Sequence, residues 1–165
     1  MKLPTDHLPG ISGVKTESLD LEEPFAAMAA RFSREAGTVV LLSGGDLDCA
    51  RYHILALRPW LTLSGRGRKT TLAIQGDSWE IDQLPLDVLQ QTMIRCRLNP
   101  EDFPPPVAAG LFGYLAYDLK DGLEDLPRTT VDDLGLPHLY LTAPSLVLVH
   151  DNADATTRVH ATVFE

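Results

Sequence analysis

The stretch Leu41-Leu42-Ser43-Gly44-Gly45 follows the apolar pair Val39-Val40 and places a serine and two glycines at the end of a predicted strand. Such a stretch is typical of a phosphate loop or of a catalytic serine. A phosphate loop needs a glycine-rich backbone that leads into a helix N-terminus, usually with a lysine and a hydroxyl residue. Here Asp46 and Asp48 follow the glycines, and the next regular segment has the pattern of a strand. The phosphate hypothesis therefore fails.

Ser43 is also a poor candidate for a catalytic nucleophile. It lacks the Gly-x-Ser-x-Gly frame that exposes the nucleophile of many hydrolases. His53 lies in the next predicted strand, and no base with an orienting partner stands near Ser43 in the sequence. We therefore predict no catalytic residue in this stretch.

The residues Arg51 and Tyr52 offer a different chemistry, because they begin the strand that follows this loop. A guanidinium group binds a carboxylate through two parallel hydrogen bonds, and an adjacent aromatic ring lines a small apolar slot. Together with Ser43, these residues suit a small amphiphilic ligand such as an amino acid. The alternative is a polar turn between two strands, with Asp46 and Asp48 in solvent.

The segment from Gly110 to Pro127 is the second informative stretch. Gly110 and Gly113 stand within an apolar run, where glycine permits close approach of the backbone. Tyr117 and Asp118 are predicted to lead into a short helix or turn that ends at Pro127. A structural role in the core is the stronger interpretation of this segment.

Composition excludes several classes of function. The net charge is −9, which repels phosphate backbones and makes nucleic acid an unsuitable partner. The most apolar run is far shorter than the ~20 residues of a membrane helix, so we expect no membrane partner. Cys49 and Cys96 lack CxxC spacing, which indicates reduced thiols and a cytoplasmic protein. The five histidines show no spacing typical of metal ligands, so no metal site is predicted in this chain.

Two amphipathic helices are predicted, at Phe25–Ala36 and at Leu86–Arg97, from apolar residues at spacings of three and four. Strands are predicted between and after the helices, in adjacent groups. They are Thr38–Ser43, Arg51–Leu57, Trp60–Ser64, Thr70–Ile74, a short strand at Trp79 and Ile81, Val107–Leu115 (buried), Leu139–Leu141, Ser145–His150 and Thr156–Phe164. This grouping favours an α+β fold with antiparallel sheets flanked by at least two helices, over a doubly wound parallel sheet. Residues 1–20 are predicted to be a leader or an edge strand, and residues 21–165 one domain.

Three stretches in this order resemble the amino-terminal region of the chorismate-using synthases. The first is Leu41-Leu42-Ser43, a loop, then Arg51-Tyr52 and Pro59. The second runs from Gly110 through Tyr117-Asp118 to Glu124-Asp125-Leu126-Pro127, and the third from Leu136-Pro137 to a strand that ends at His150-Asp151. The family includes anthranilate synthase component I and aminodeoxychorismate synthase component I, and the resemblance spans roughly residues 20–165.

The resemblance implies the fold of the N-terminal region of these synthases, which make the precursor of folate or of tryptophan. In the family, a larger C-terminal domain binds chorismate and magnesium and carries the catalytic residues, and a glutamine amidotransferase subunit supplies ammonia. The family motifs for chemistry are absent from these 165 residues, so we expect a front portion of a larger synthase, with no catalytic residue and no cofactor of its own.

The resemblance also implies a tryptophan-type pocket, half of which comes from Ser43, Arg51 and Tyr52. Anthranilate synthases typically read Leu-Leu-Glu-Ser here, whereas in this chain Ser43 follows Leu42 directly. The missing carboxylate removes a partner for the ammonium group of the ligand and favours aminodeoxychorismate synthase. Anthranilate synthase component I and a free-standing small-ligand-binding or structural domain remain as alternatives.

Overall fold

The structure is a computed structural model that describes residues 7–44, 50–96, 109–124, 126–127 and 131–165. These residues form two compact units. In the first unit the described residues are 7–8, 60–96, 113–124, 126–127 and 131–142; in the second they are 9–44, 50–59, 109–112 and 143–165.

The described residues contain eight strands, two α-helices and a short 3₁₀ helix. The strands are β1 (Ile11–Ser18), β2 (Val39–Leu41), β3 (Tyr52–Arg66), β4 (Lys69–Ile74), β5 (Asp77–Asp82), β6 (Phe112–Leu115), β7 (Leu139–Asp151) and β8 (Thr156–Phe164). The helices are α1 (Phe25–Ala30), α2 (Pro85–Arg95) and the 3₁₀ helix Tyr117–Gly122. Both β3 and β7 contribute residues to both units.

The second unit contains the strand order β1-β8-β7-β3, with β2 paired to β3. The strand β8 pairs antiparallel with both β1 and β7, with Thr16 opposite His160 and Val149 opposite Arg158. Side chains alternate between the two faces of a strand, and the two core clusters of this unit follow that alternation. Leu55, Leu57 and Leu148 pack with α1 on one face, where Phe25 and Ala29 are buried. Ala56, Val147 and Val149 pack with Phe112 in the other cluster. Apolar side chains therefore cover both faces of these strands.

The first unit contains an antiparallel meander of β3, β4 and β5, in which Leu63 lies opposite Leu72. The helix α2 begins with Pro85 in its first turn, which suits proline because that N–H has no partner within the helix. Val88 and Thr92 of α2 are buried, and the helix contacts β4. These strands and this helix confirm the predicted elements at Thr70–Ile74, at Trp79 with Ile81, and around Leu86–Arg97.

The predicted α+β fold with antiparallel strands is confirmed, but the predicted elements differ from those observed in five places. The first helix ends at Ala30, whereas the prediction continued to Ala36. The N–H groups of Arg31, Phe32 and Ser33 donate to carbonyls three residues earlier, so the chain turns more tightly than an α-helix before Gly37.

The predicted strands Arg51–Leu57 and Trp60–Ser64 are one strand, β3. The strand continues through Pro59, and Arg58 immediately before it adopts a positive φ of 54°. In the same way, Leu139–Leu141 and Ser145–His150 are parts of one strand, β7, which passes through Pro144. Proline has no N–H to donate, so it interrupts a strand only at a position where pairing requires that donor.

The remaining two differences concern the strands predicted at 38–43 and at 107–115. The observed β2 is shorter, at Val39–Leu41. In the segment predicted as the buried strand Val107–Leu115, the described strand is Phe112–Leu115, and only Phe112 is buried while the next three residues are exposed. Residues 107 and 108 lie outside the described residues. Within the predicted leader at residues 1–20, Ile11–Ser18 forms β1, an edge strand paired with β8.

Candidate functional site

Arg51 is held at the start of β3 by Asp151 at the end of β7. Its Nε lies 3.0 Å from both carboxylate oxygens of Asp151, and its Nη2 lies 2.7 Å from Oδ2. The Arg51 guanidinium carbon is 4.9 Å from the centre of the Tyr52 ring, close enough for a cation–π contact. Besides the ring of the adjacent Tyr52, the structure therefore places a carboxylate against Arg51 that was not predicted.

The local sequence places Asp151 at this point because a hairpin turn follows β7. The N–H of Ala153 donates to Asp151 Oδ1 at 3.0 Å, and the N–H of Asn152 donates to the Arg51 carbonyl at 2.8 Å. Ala155 closes the turn with a positive φ of 54°. Aspartate suits such turns because its side chain accepts a hydrogen bond from the backbone two residues on.

Each member of this ion pair stabilises the charged form of the other. The hydrogen bonds from Arg51 lower the pKa of the Asp151 carboxyl, and the N–H of Ala153 acts in the same direction. The same hydrogen bonds raise the pKa of Arg51. The Asp151 side chain is 13% exposed and the Arg51 side chain 53% exposed. Asp151 thus occupies the Nε and Nη2 side of the Arg51 guanidinium, while about half of the Arg51 side chain stays exposed.

A cleft of about 240 Å³ lies beside this ion pair, within the second unit. Its lining comes from the start of β3, the end of β7 and the first half of β8. The lining residues are Arg51, Tyr52, Val149, Asp151, Asp154, Thr156, Arg158 and His160. The cleft combines an aromatic and an aliphatic wall with two cations, two carboxylates and a buried imidazole, so it offers complementary groups to a small amphiphilic molecule.

Ser43 lies next to Tyr52 but does not line the cleft. Its hydroxyl donates to the Tyr52 carbonyl at 2.7 Å, and its N–H donates to His53 Nδ1 at 3.1 Å. The strand ends at Ser43 and Arg51 are therefore adjacent, as an amino-acid pocket there requires. The loop residues 45–49, which include Asp46 and Asp48, lie outside the described residues.

His53 belongs to a stack of three rings on the α1 face of the strands. Its ring centre lies 5.6 Å from that of Phe25 and 6.0 Å from that of His150. Burial lowers the pKa of His53, and the charge of His150 lowers it further. His150 Nδ1 lies 2.8 Å from the Thr157 hydroxyl. Since His53 Nδ1 accepts the Ser43 N–H, His53 supports the end of β2.

His160 and Arg158 were not predicted as site residues. His160 is 1% exposed, and its Nδ1 lies 2.9 Å from the Thr16 hydroxyl. Burial, and secondly the charge of Arg158, lower the pKa of His160. In the sequence, the only indication of their role is that Thr156, Arg158 and His160 alternate along β8. This alternation predicts that the three side chains share one face of the strand, but it does not predict which face borders the cleft. Likewise, nothing local predicts that Asp151 would bind Arg51.

The predicted segment from Gly110 to Pro127 makes structural contacts: Phe112 packs in a core cluster of the second unit, and the described residues from Gly113 onwards lie in the first unit. Gly113 lies so close to Tyr140 that a Cβ there would overlap the Tyr140 carbonyl oxygen. Tyr114 stacks on Tyr140 with ring centres 6.1 Å apart. In the 3₁₀ helix, Lys120 Nζ lies 2.8 Å from Asp121, and this hydrogen bond is the main cause of a raised Lys120 pKa.

Neither a metal site nor a membrane span can be assigned to the described residues. Among them, no group of three or more histidine, cysteine, aspartate or glutamate side chains is placed to hold a metal ion. In the part of the chain that the structure describes, no helix is long and apolar enough to cross a membrane.

The chain has relatives among proteins of known name, although no family model matches it. It is 32% identical over 149 residues to "Anthranilate synthase component 1" of Cereibacter sphaeroides, covering 86% of this chain and 30% of that protein. It is 48% identical over 138 residues to the protein of the same name from Thermus thermophilus, covering 84% and 29%. It is 29% identical over 127 residues to "Aminodeoxychorismate synthase component 1" of Escherichia coli, covering 74% and 28%.

A solved structure shows the same fold. The crystal structure of anthranilate synthase component I from Streptococcus pneumoniae matches with a TM-score of 0.54 at 19% identity, covering 87% of this chain and 32% of that one. The chain spans less than a third of the length of these curated relatives. The resemblance predicted from the three motifs is confirmed by the relatives, and the fold by the structural neighbour.

Proposed function

Because the chain is related over most of its length to component 1 of anthranilate synthase and of aminodeoxychorismate synthase, we propose that it serves as the N-terminal domain of an aminodeoxychorismate synthase component 1. Such an enzyme aminates chorismate with ammonia from a glutamine amidotransferase subunit, in folate precursor synthesis. In this proposal a larger chorismate- and magnesium-binding domain performs the chemistry, and the present domain scaffolds it.

The choice of aminodeoxychorismate over anthranilate as the product depends on the sequence Leu41-Leu42-Ser43. The anthranilate synthase pattern has a glutamate between the second leucine and the serine, whereas this chain has none. Both polar groups of Ser43 are engaged, by Tyr52 and by His53. A ligand ammonium group consequently lacks the carboxylate partner that feedback inhibition by tryptophan would use.

Anthranilate synthase component 1 is the second candidate, because two relatives of that name align over longer stretches than a relative named aminodeoxychorismate synthase component 1. The alignments with the Cereibacter and Thermus proteins cover 149 and 138 residues, against 127 for the Escherichia coli aminodeoxychorismate synthase. Both candidates use the same substrate, so the product decides between them.

The proposal includes half of a tryptophan-type pocket, made by Ser43, Arg51 and Tyr52. Arg51 and Tyr52 share a cleft, which supports their part of the assignment. Ser43 does not line that cleft, and its hydroxyl donates to the Tyr52 carbonyl, so its part in the proposal is to support Tyr52. Asp151 binds Nε and Nη2 of Arg51, so in this proposal the ligand meets Arg51 as part of an ion pair.

The test begins with the natural reading frame of the gene. A continuation beyond Glu165 into a chorismate-binding domain supports the proposal, and a stop codon there supports a free-standing ligand-binding domain instead. The full gene product is then incubated with chorismate, magnesium and ammonia, and the products are separated by chromatography. We expect aminodeoxychorismate; anthranilate would select the second candidate, and neither product would reject both.

A further inference from the structure

Three side chains of β8 share the face of the strand that borders the cleft. Thr156, Arg158 and His160 alternate along the strand and therefore point to one side. On the neighbouring β7, Asp151 lies opposite Thr156 and Val149 lies opposite Arg158. The register thus places a guanidinium group next to an imidazole along one wall of the cleft.

The imidazole of His160 has one nitrogen bound and one without a partner. Thr16 lies opposite His160 on β1, and its hydroxyl is 2.9 Å from Nδ1. Because β8 lies between β1 and β7, this contact turns the Nδ1 edge of the ring towards β1 and the Nε2 edge away from it. His160 Nε2 is buried and has no hydrogen-bond partner among the described residues. Buried polar atoms of proteins are nearly always paired, so a missing partner at a cleft indicates a group that binds there.

The guanidinium of Arg158 is the cation that this cleft has available. Arg51 is held by Asp151, and Asp154 accepts hydrogen bonds from the N–H and the hydroxyl of Thr156. Arg158 is exposed and has no hydrogen bond or ion pair within the described part of the chain, although Asp151 feels its charge at longer range. A charged donor beside an unpaired ring nitrogen is a suitable arrangement for one carboxylate group.

We propose that the cleft binds a small aromatic or aliphatic carboxylate whose oxygens accept hydrogen bonds from the Arg158 guanidinium and from His160 Nε2–H. In this tautomer Nδ1 accepts the Thr16 hydroxyl proton. The apolar part of the ligand lies against Tyr52 and Val149. A monocarboxylate fits better than a phosphate, because Asp151 and Asp154 also line the cleft and repel a second negative charge.

This inference rests on the proposed function only in treating the cleft as the ligand pocket. It adds to that function the residues that bind the carboxylate of the ligand. These are Arg158 and His160, because Asp151 already binds Arg51. The assignment needs no tryptophan, so it is testable with a simpler probe.

The experiment uses the 165-residue chain labelled with ¹⁵N, and the matched probes benzoate and benzamide. Benzoate is expected to shift the His160 Nε2 and Arg158 Nε resonances in NMR spectra, and benzamide, which lacks the charge, is not. Arg158→Gln should weaken benzoate binding about tenfold or more, the loss expected for a hydrogen bond to a charged group. Arg34→Gln is the matched control, since Arg34 is an exposed arginine outside the cleft.

Two results would overturn the inference: unchanged His160 and Arg158 resonances up to the solubility limit of benzoate, or equal affinities in Arg158→Gln and Arg34→Gln. Tryptophan added to the full gene product separates this inference from the proposed function. Tryptophan binding that is unaffected by Arg158→Gln would leave the proposed pocket intact and reject only the anchor. Benzoate binding through Arg158 in a protein whose full form makes neither product would support the anchor and reject the proposed function.

Discussion

Arg51 and Asp151 form a bidentate ion pair although 100 residues separate them in the chain, with Nη2 to Oδ2 at 2.7 Å and Nε at 3.0 Å from both carboxylate oxygens. The pair ties the beginning of β3 to the end of β7. Planar guanidinium groups suit such a geometry, which lysine cannot reproduce. Asp151 therefore connects the predicted ligand-binding arginine to the hairpin that carries Arg158 and His160.

Replacement of Arg51 is expected to lower the free energy of unfolding at neutral pH. In Arg51→Gln, the Asp151 carboxylate, whose side chain is 13% exposed, loses its charged donor. Arg51 lowers the pKa of Asp151 in the folded protein. The pair therefore contributes stability above the unfolded pKa of about 3.9, and that contribution disappears as the pH falls through the lower, folded pKa.

Urea denaturation of wild type and Arg51→Gln across this pH range measures the effect. The difference between the two proteins should be largest near about pH 7 and should vanish well below the unfolded pKa of about 3.9. Arg34→Gln removes the same charge without breaking the pair and should show no such pH dependence. A difference that is constant down to acid pH would contradict the role of the ion pair.

His53 is expected to titrate below its ordinary pKa of about 6.5. Burial and the neighbouring His150 favour the neutral ring, and its Nδ1 accepts the Ser43 N–H. Protonation places a hydrogen on Nδ1 and breaks this bond. The folded pKa is lower than the unfolded one, so the stability from His53 is complete above about pH 6.5 and is lost as the pH falls through the folded pKa.

NMR titration of the imidazole signals measures the His53 pKa directly. In His150→Phe, which keeps an aromatic ring against Phe25, the His53 pKa should rise towards its ordinary value because one of its two causes is removed. A His53 signal that titrates at or above the ordinary value in wild type, or a proton on Nδ1 at neutral pH, would reject the proposed hydrogen bond.

Gly113 and Gly110 form a matched pair for measuring the steric role of the predicted glycine-rich strand. Both have φ near +150°, at +150° and +156°, but a Cβ at Gly113 would overlap the Tyr140 carbonyl, whereas one at Gly110 meets nothing within 4 Å. Gly113→Ala should therefore reduce the free energy of unfolding by about 1–3 kcal/mol more than Gly110→Ala, the usual cost of overpacking. Denaturant titration of both variants measures the difference, and equal losses would contradict the close approach.

The 165-residue chain by itself is expected to make no product from chorismate. In the proposed function the larger domain binds chorismate and magnesium, and this domain supports it. Chromatography after incubation with chorismate, magnesium and ammonia checks the expectation, and circular dichroism verifies that the chain is folded. Aminodeoxychorismate or anthranilate from this chain would show that the division of roles is wrong.

The periodic elements were the most predictable part of the fold. The strand Thr156–Phe164 and the helix at Pro85–Arg95 follow from apolar spacing and from the residues at their ends. The strand prediction was wrong where it divided one continuous strand into two at a proline. The segments on either side of Pro59 were predicted as two strands, and so were the segments on either side of Pro144, but each pair forms one continuous strand.

The candidate site was predictable only in part, because several of its interactions join residues that are far apart in the sequence. Arg51 and Tyr52 are adjacent in sequence, so their chemistry and their place at a strand start were visible. Asp151, Arg158 and His160 join them through strand pairing, which depends on the register between distant segments. Since a shift of one residue moves every side chain to the other face, alternation alone does not reveal which side chains line the cleft.

The sequence by itself determined the α+β class, the family resemblance and the pairing of a strand-end arginine with an aromatic ring. These depend on local periodicity and on short motifs, which neighbouring residues encode. Only the tertiary structure decided that Asp151 holds Arg51, that Ser43 contacts the backbone of Tyr52 without lining the cleft, and that His160 Nε2 is left without a described partner beside Arg158. Those relationships arise where strands from distant parts of the chain pair, and the free energy of that pairing depends on the whole fold, not on any one segment.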